Sequence, residues 1–382
     1  MIIKKVTGIE IAEGFFAESY FFWDRGRPFL APTLFLLSLA RKGVASNTIR
    51  TYKDRLKTFF QVLSEWKGTD SWIHVNDSDI TAYVNAYLIQ QTQSAKSSVI
   101  NHIAALREFY EFAQKAGLVT KTPSFEINLR SFKFKSSTLM ADNIYILRSV
   151  YISSDVFKNE ILPLAAKVSA NEFVKRRAEI ILLLGYYAGL RSSEVTDARN
   201  LQTCELKKLI PADFLIPKPI EIKIIGKNNK LRALPIPSYL VDKIRMFLYG
   251  ERSYLKEGPL ICSHKGKALS KNSQLASDTF RFCIQMRNSR EKSEHLNINN
   301  LKSMRFHDLR KCFATNLVSW CYEYQLDPWI LVPEYMGHAD KQTTFIYVFF
   351  DAVINHRVEV LKRLSGESTT NSSWFISSKK HT

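Results

Sequence analysis

The 382-residue chain predicts a mainly α-helical fold with one small antiparallel β-sheet, divided into two domains. Three observations carry this expectation. Apolar residues recur at three- and four-residue spacings through long stretches, the period drops to two at a single place, and a polar, Pro-interrupted stretch separates two helical parts. A hydrophobic content of 46% with 12% aromatics supplies enough apolar surface for real cores. A mainly disordered basic protein is thereby excluded.

Residues 1–27 form an N-terminal segment without a signal-peptide hydrophobic core or cleavage site. Residues 28–118 read as a small helical bundle, with helical spacing in TIRTYKDRLKTFFQVLSEW and SSVINHIAALREFYEFAQKAG. Ser46, Asn47 and Thr48 are expected to cap the first of these runs, Asn76-Asp77-Ser78-Asp79 caps ITAYVNAYLIQQ, and Gly117 closes the last. Residues 119–150 are aperiodic and contain Pro123, as an interdomain linker would, and carry Lys121, Arg130, Lys133 and Lys135. A second domain spans 151–364, followed by a Ser/Thr-rich tail, 365–382. Within it, AEIILLLGYYAGL is a buried helix stopped near Gly189. IEIKIIGKNNKLRALPIP is a strand with Ile220, Ile222 and Ile224 on one face, a turn through Asn228-Asn229, and a returning strand ended by Pro235.

There are 54 Lys+Arg against 36 Asp+Glu, a formal charge of +18. Residues 1–118 contribute +3, 119–150 another +3 and the remainder +12, so the second domain dominates the electrostatics. Such an excess suits a polyanion. The longest nearly apolar run, Ile180 to Leu190, is about half of what a bilayer span needs. Cys204, Cys262, Cys283, Cys312 and Cys321 are odd in number and show no C-x-x-C spacing, which argues against a disulfide framework or a zinc site. No H-E-x-x-H, Walker-type or G-x-G-x-x-G motif occurs, and no metal or other cofactor is expected.

Five short signals stand in order in the second domain: GLRSSEV, GKNNK, HDLR, MGH and TTFIYV. Taken singly, each has a plain structural reading as a surface Arg–Glu pair, a turn lysine or a core tyrosine. Arg191 and Glu194 lie close enough for the carboxylate to orient a guanidinium, whose planar fork suits two phosphate oxygens. Lys227 lies where the strand enters its turn, and Lys230 across that turn competes with it for the role of proton donor. His307 and Arg310 share a helical face, and His338 precedes Tyr347 by nine residues. A phenol with a pKa of about 10 is a poor nucleophile until cations stabilise its anion.

Together and in this order, the signals resemble the tyrosine recombinase, or phage integrase, family. Members use Arg, Lys, His-x-x-Arg, a Gly-His step and a nucleophilic Tyr in that sequence, which the resemblance carries onto Arg191, Lys227, His307, Arg310, His338 and Tyr347. It implies that Tyr347 attacks a DNA phosphodiester, that Lys227 protonates the leaving 5′-oxygen, and that Glu194 has a supporting role. It further implies a helical core-binding domain plus an α+β tyrosine recombinase catalytic domain, and a homo-tetramer on double-stranded DNA recombination sites. Accessory DNA-bending or directionality proteins and a cytoplasmic, nucleoid-associated location go with that reading. KGVASNTIRTYKDRLKTFFQVL looks like the family's core-binding domain, with Arg50, Lys53 and Lys57 as DNA-backbone candidates beside the linker cations.

The segment between Arg191 and Lys227 is longer than in compact bacterial members, QMRNSREKSEHLNINNLKSM precedes His307, and Lys311-Cys312 follows the H-x-x-R motif. These departures point away from the chromosome-resolution branch and towards integration, excision or transposition of a mobile element. A type IB topoisomerase and a catalytically silent DNA-binding protein are the alternatives. In the tail, Trp374, Phe375 and Ile376 could anchor docking on a neighbouring protomer.

Overall fold

The structure is a computed structural model that describes residues 1–12, 15–68, 70–126, 147–213, 216–226, 229–255, 257–270, 273–294, 304–337 and 341–364. The chain divides into two compact units, Met1–Thr138 and Leu139–Thr382. Both are mainly helical, and each carries a small antiparallel sheet.

The first unit opens with a sheet that the sequence reading did not anticipate. Strands β1 (Ile2–Ala12), β2 (Phe15–Asp24) and β3 (Arg27–Phe29) lie in the order β1-β2-β3. Arg25 and Gly26, both at positive φ, form the two-residue turn between β2 and β3, the backbone that matches the twist of a tight hairpin. Phe22 is fully buried, and its N–H donates to Thr33 Oγ1 at 3.0 Å on the helix that follows. Phe22, with Met1, Ile3 and Tyr20 packed beside it, therefore shares the core of the helices α1 (Leu30–Arg41), α2 (Ser46–Lys67), α3 (Asp77–Ala82, continuing as a π-helical stretch Tyr83–Gln91) and α4 (Lys96–Lys115). That core is aromatic, with edge-to-face pairs Phe60–Phe109 at 5.3 Å and Phe59–Tyr83 at 5.0 Å.

Helix α3 begins with a capping box in which Asn76 accepts from the Asp79 N–H and Asp79 accepts from the Asn76 N–H. Gly117, at φ +70°, closes α4. Ser46, Asn47 and Thr48 do not cap α2. Its N-cap is Ala45, with no side-chain cap, because the helix starts one residue earlier than the capping side chains would require.

In the second unit, short helical pieces over residues 154–167 lead into α5 (Glu172–Ala188), whose Ile180 to Leu184 are all fully buried. Next come α6 (Ser192–Thr196), α7 (Thr203–Leu209), the hairpin β4 (Ile220–Ile225) and β5 (Leu231–Ile236), α8 (Ser238–Tyr249) and α9 (Leu275–Glu294). The chain then forms α10 (Phe306–Glu323), α11 (Pro328–Met336), α12 (Lys341–Ile354) and α13 (Val358–Leu364). Pro235 does not end its strand: it lies opposite Glu221, and Ile236 continues the pairing opposite Ile220. Helices α10, α11 and α12 share a cluster containing Phe313, Val318, Val332, Met336, Tyr347 and Phe350, which fixes the α12 tyrosine against α10. Among the described residues, no helix is long and apolar enough to cross a membrane.

Candidate active site

Helix α5 must stop abruptly for this site to exist. Gly189 adopts φ +60°, and a Cβ there would lie 2.3 Å from the Phe313 ring, so both backbone and space demand glycine. The chain then turns so that Arg191 becomes the N-cap of α6. Glu194, in the first turn of α6, accepts from the Arg191 backbone N–H at 2.9 Å and from Arg191 Nη1 at 2.7 Å.

Glu194 is only 3% exposed and is the hub of the site. Arg232 of β5 grips both its oxygens, Nη1 to Oε1 and Nη2 to Oε2, each at 2.8 Å. Arg310 Nη1 lies 4.0 Å from Oε2. Burial works to raise the Glu194 pKa, but the Arg232 fork and Arg191 outweigh it and hold the carboxyl at about 2. One ionised carboxylate thus organises three guanidiniums, leaving a net positive cluster.

Arg310 is buried, and its fork donates to the carbonyls of Gly189 and Met336. One contact is two residues before Arg191 and the other two residues before His338. Burial and the neighbouring Arg191 pull Arg310 below the ordinary guanidinium value, a shift that leaves it cationic at neutral pH. His307, one turn earlier on α10, reaches the surface. Partial desolvation, then Arg310 and Lys311, lower its pKa and keep the imidazole neutral at pH 7. Asp308 accepts the Arg305 N–H at 2.8 Å and pairs with Lys311 at 2.7 Å, which anchors the start of α10.

Tyr347, on α12, is 9% exposed. Burial pushes its phenol up to about 12, while Arg310 acts in the opposite direction and favours the phenolate. The nearby tyrosines have other surroundings: Tyr322 lies under the Arg357 guanidinium at 4.7 Å, and Tyr324 is exposed beside Trp320.

The β4–β5 turn is tied to the Arg191 segment. Asn200 accepts from the Ile225 N–H at 2.8 Å and donates to the carbonyls of Glu194 and Ile225, and Arg199 Nη1 reaches Asn229 Oδ1 at 2.9 Å. Lys227 and His338 lie outside the described residues. The residues before them do not: a Cβ on Gly226 would come 3.1 Å from Arg232 Nη1 and 3.1 Å from Glu194 Oε1, and one on Gly337 would come 3.6 Å from Arg232 Cδ. Lys230 is exposed. Among the described residues, no group of three or more His, Cys, Asp or Glu side chains could hold a metal ion.

In the first unit, Arg50 is exposed and Lys57 half-buried, while Lys53 pairs with Asp54 and lies over the Tyr20 ring at 5.2 Å. Lys121 is exposed; Arg130, Lys133 and Lys135 lie outside the described residues, as does the tail from 365 onward. Sequence reasoning missed Arg232 and Asn200. The legible signal for Arg232 was an arginine at an inward position of β5, in line with Leu234 and Ile236.

The profile described as "Phage integrase family" matches residues 158–352, just over half the chain, and "Phage integrase, N-terminal SAM-like domain" matches residues 33–117. The chain belongs to the phage integrase family. These tyrosine recombinases cleave and rejoin DNA through a tyrosine nucleophile. The protein is 24% identical over 329 residues to a tyrosine recombinase XerC of Roseiflexus castenholzii, covering 84% of this chain and 89% of the relative. It is 22% identical over 311 residues to a tyrosine recombinase XerD of Oceanobacillus iheyensis, covering 80% and 88%. Among solved structures, the fold matches the XerH site-specific recombinase bound to palindromic difH substrate in a post-cleavage complex (TM-score 0.57, 19% identity, 87% of this chain and 85% of that one). It also matches the Tn1549 transposon integrase in complex with transposon right end DNA (TM-score 0.52, 15% identity, 88% and 99%).

Proposed function

We propose that this family member is a site-specific recombinase in which Tyr347 attacks a scissile phosphodiester. The Tyr347 phenol loses its proton to solvent and its oxygen bonds to phosphorus as the bond from phosphorus to the 5′-oxygen breaks, giving a 3′-phosphotyrosyl link and a free 5′-hydroxyl. Arg191 and Arg310, with His307 and His338, stabilise the charge on the pentacovalent phosphorus, and Lys227 gives the leaving oxygen its proton. The covalent link conserves the phosphodiester's energy, so a second strand's 5′-hydroxyl reseals it without metal or nucleotide.

The observation that carries this reading is the grouping of Arg191 and Arg310 around one buried Glu194, with the Tyr347 phenol electrostatically coupled to Arg310. A phenol at about 12 reacts only when cations lower the cost of its anion and hold the phosphate it attacks. Lys227 as the acid is supported by its place next to Gly226, which packs on the Glu194–Arg232 pair.

On DNA we propose a homo-tetramer joining two recombination sites, with the first unit, including Arg50, and the linker cations on the DNA backbone. Accessory DNA-bending or directionality proteins are partners in this reading. The biological role we favour is integration, excision or transposition of a mobile element, supported by the longer segment between Arg191 and Lys227 and the polar stretch before His307. Multimer resolution is the second reading, favoured by the likeness to XerC and XerD proteins. The test is an assay with paired sites on one plasmid. Covalent adduct with partner-site joining supports recombination, whereas supercoil relaxation without joining, or binding without adduct, overturns it. Mapped attachment sites at the ends of a mobile element select the first role; a fixed site in the replicon selects the second.

A further inference from the structure

We propose that Arg232 is a positioning residue for DNA cleavage: it occupies the Glu194 carboxylate so that Arg191 presents its guanidinium to the phosphate instead of closing on Glu194. The inference rests on the phosphate-binding role given above to Arg191.

Arg232 and Glu194 meet fork to fork, with both contacts at 2.8 Å and side chains 7% and 3% exposed. This arrangement uses the in-plane face of the carboxylate that a guanidinium grips best. Among the described residues, Arg191 is left with one side-chain contact, Nη1 to Oε1 at 2.7 Å, and stays 30% exposed. Its remaining donors have no partner among those residues and can serve a phosphate. Without Arg232, the bidentate face of Glu194 would be vacant beside an arginine already tethered to it through its own backbone N–H. Arg191 would then fold onto Glu194, and both its donors and its field would be lost to a phosphate.

Packing alone does not account for an arginine here. The next inward residues of β5 are Leu234 and Ile236, and an apolar side chain at 232 would fill the same layer without the desolvation cost of a buried cation. The Arg232 side chain also runs beside two glycines: a Cβ on Gly226 would meet its guanidinium at 3.1 Å, and one on Gly337 would meet its stem at 3.6 Å. One side chain thus joins the start of α6, the β4–β5 turn and the end of α11, the three segments from which Arg191, Lys227 and His338 come.

The test is single-turnover cleavage of a suicide DNA substrate at saturating full-length protein. The variants are Arg191→Ala, Arg232→Ala, Arg232→Lys, Arg232→Met and the Arg191→Ala/Arg232→Ala double variant, with DNA affinity and thermal unfolding measured alongside. Arg232→Ala and Arg232→Met should slow cleavage by about ten- to a hundredfold while affinity changes by no more than about twofold. Arg232→Lys should recover only part of the rate, because an ammonium cannot grip both oxygens. In the Arg191→Ala background, removing Arg232 should cost no more than about a further twofold, since the two act as one unit. Wild-type cleavage by Arg232→Met shows that the side chain only packs and overturns the proposal. So does the full loss persisting in the Arg191→Ala background, or a rate that falls only in step with folded protein. If Arg191→Ala itself cleaves at the wild-type rate, the phosphate-binding assignment fails first and the proposal falls with it.

Discussion

Replacing Glu194 by Gln removes the negative charge from the centre of three guanidiniums while keeping the side chain's shape. Two routes give the expected cost. The carboxyl is held at about 2 instead of 4.5, which at about 1.4 kcal/mol per tenfold is worth about 3 kcal/mol of stability. Breaking a buried ion pair while leaving its partners behind costs about 3–5 kcal/mol, which agrees. For a unit of this size the melting temperature should drop by about 6–12 °C. The sign follows from the depressed folded-state pKa: the contribution is fully present above 4.5 and is lost as pH falls from there towards 2. Urea unfolding of both proteins, at pH 7 and in steps down to pH 3, checks this. The gap should be about 3 kcal/mol at pH 7 and shrink steadily below pH 4.5. Equal stability at pH 7, or a gap indifferent to pH, would refute the role of Glu194 as the ionised hub.

Gly189→Ala should destabilise the second unit by about 2–5 kcal/mol, the sum of a left-handed backbone penalty and a methyl forced into Phe313, and denaturant unfolding reads it directly. The His307 ring, followed by NMR, should titrate with a midpoint below 6.5, so that the imidazole is neutral at pH 7 and gains its proton only as pH falls further; a midpoint above 6.5 contradicts the crowding by Arg310 and Lys311. Lys227→Ala should lose cleavage on a normal substrate and regain it on one with a 5′-thiolate leaving group, which needs no proton, whereas Lys230→Ala should be little affected. Rescue of the Lys230 variant alone would move the acid to Lys230.

The residues that were legible in the sequence are those whose signal is local. The apolar run before Gly189, the alternation through Ile220, Ile222 and Ile224, and the capping box at Asn76 each declare themselves within a few residues. Arg191, His307, Arg310 and Tyr347 stood out through short motifs in a recognisable order, and the structure places Arg191 and Arg310 about Glu194 with Tyr347 in the electrostatic reach of Arg310. The pairing of Arg232 with Glu194 was not legible because the two lie 38 residues apart and only the folded hairpin brings them together. The N-terminal sheet escaped because its turn is Arg25-Gly26 instead of an Asn-Gly pair, and because register shifts between Val6 and Ile9 and between Glu10 and Ala12 break the two-residue alternation. The cap of α2 was misread because Ser and Thr near a helix start signal the region and not the register, and the chain turns at Ala45.

The proposed reaction stands on a covalent bond between Tyr347 and DNA. Trapping the adduct on a suicide substrate, digesting the DNA to a nucleotide remnant and mapping the modified peptide by mass spectrometry tests it most directly. The remnant is expected on Tyr347, with no adduct from Tyr347→Phe. A remnant on Tyr322, Tyr324 or Tyr335, or continued trapping by Tyr347→Phe, would contradict it.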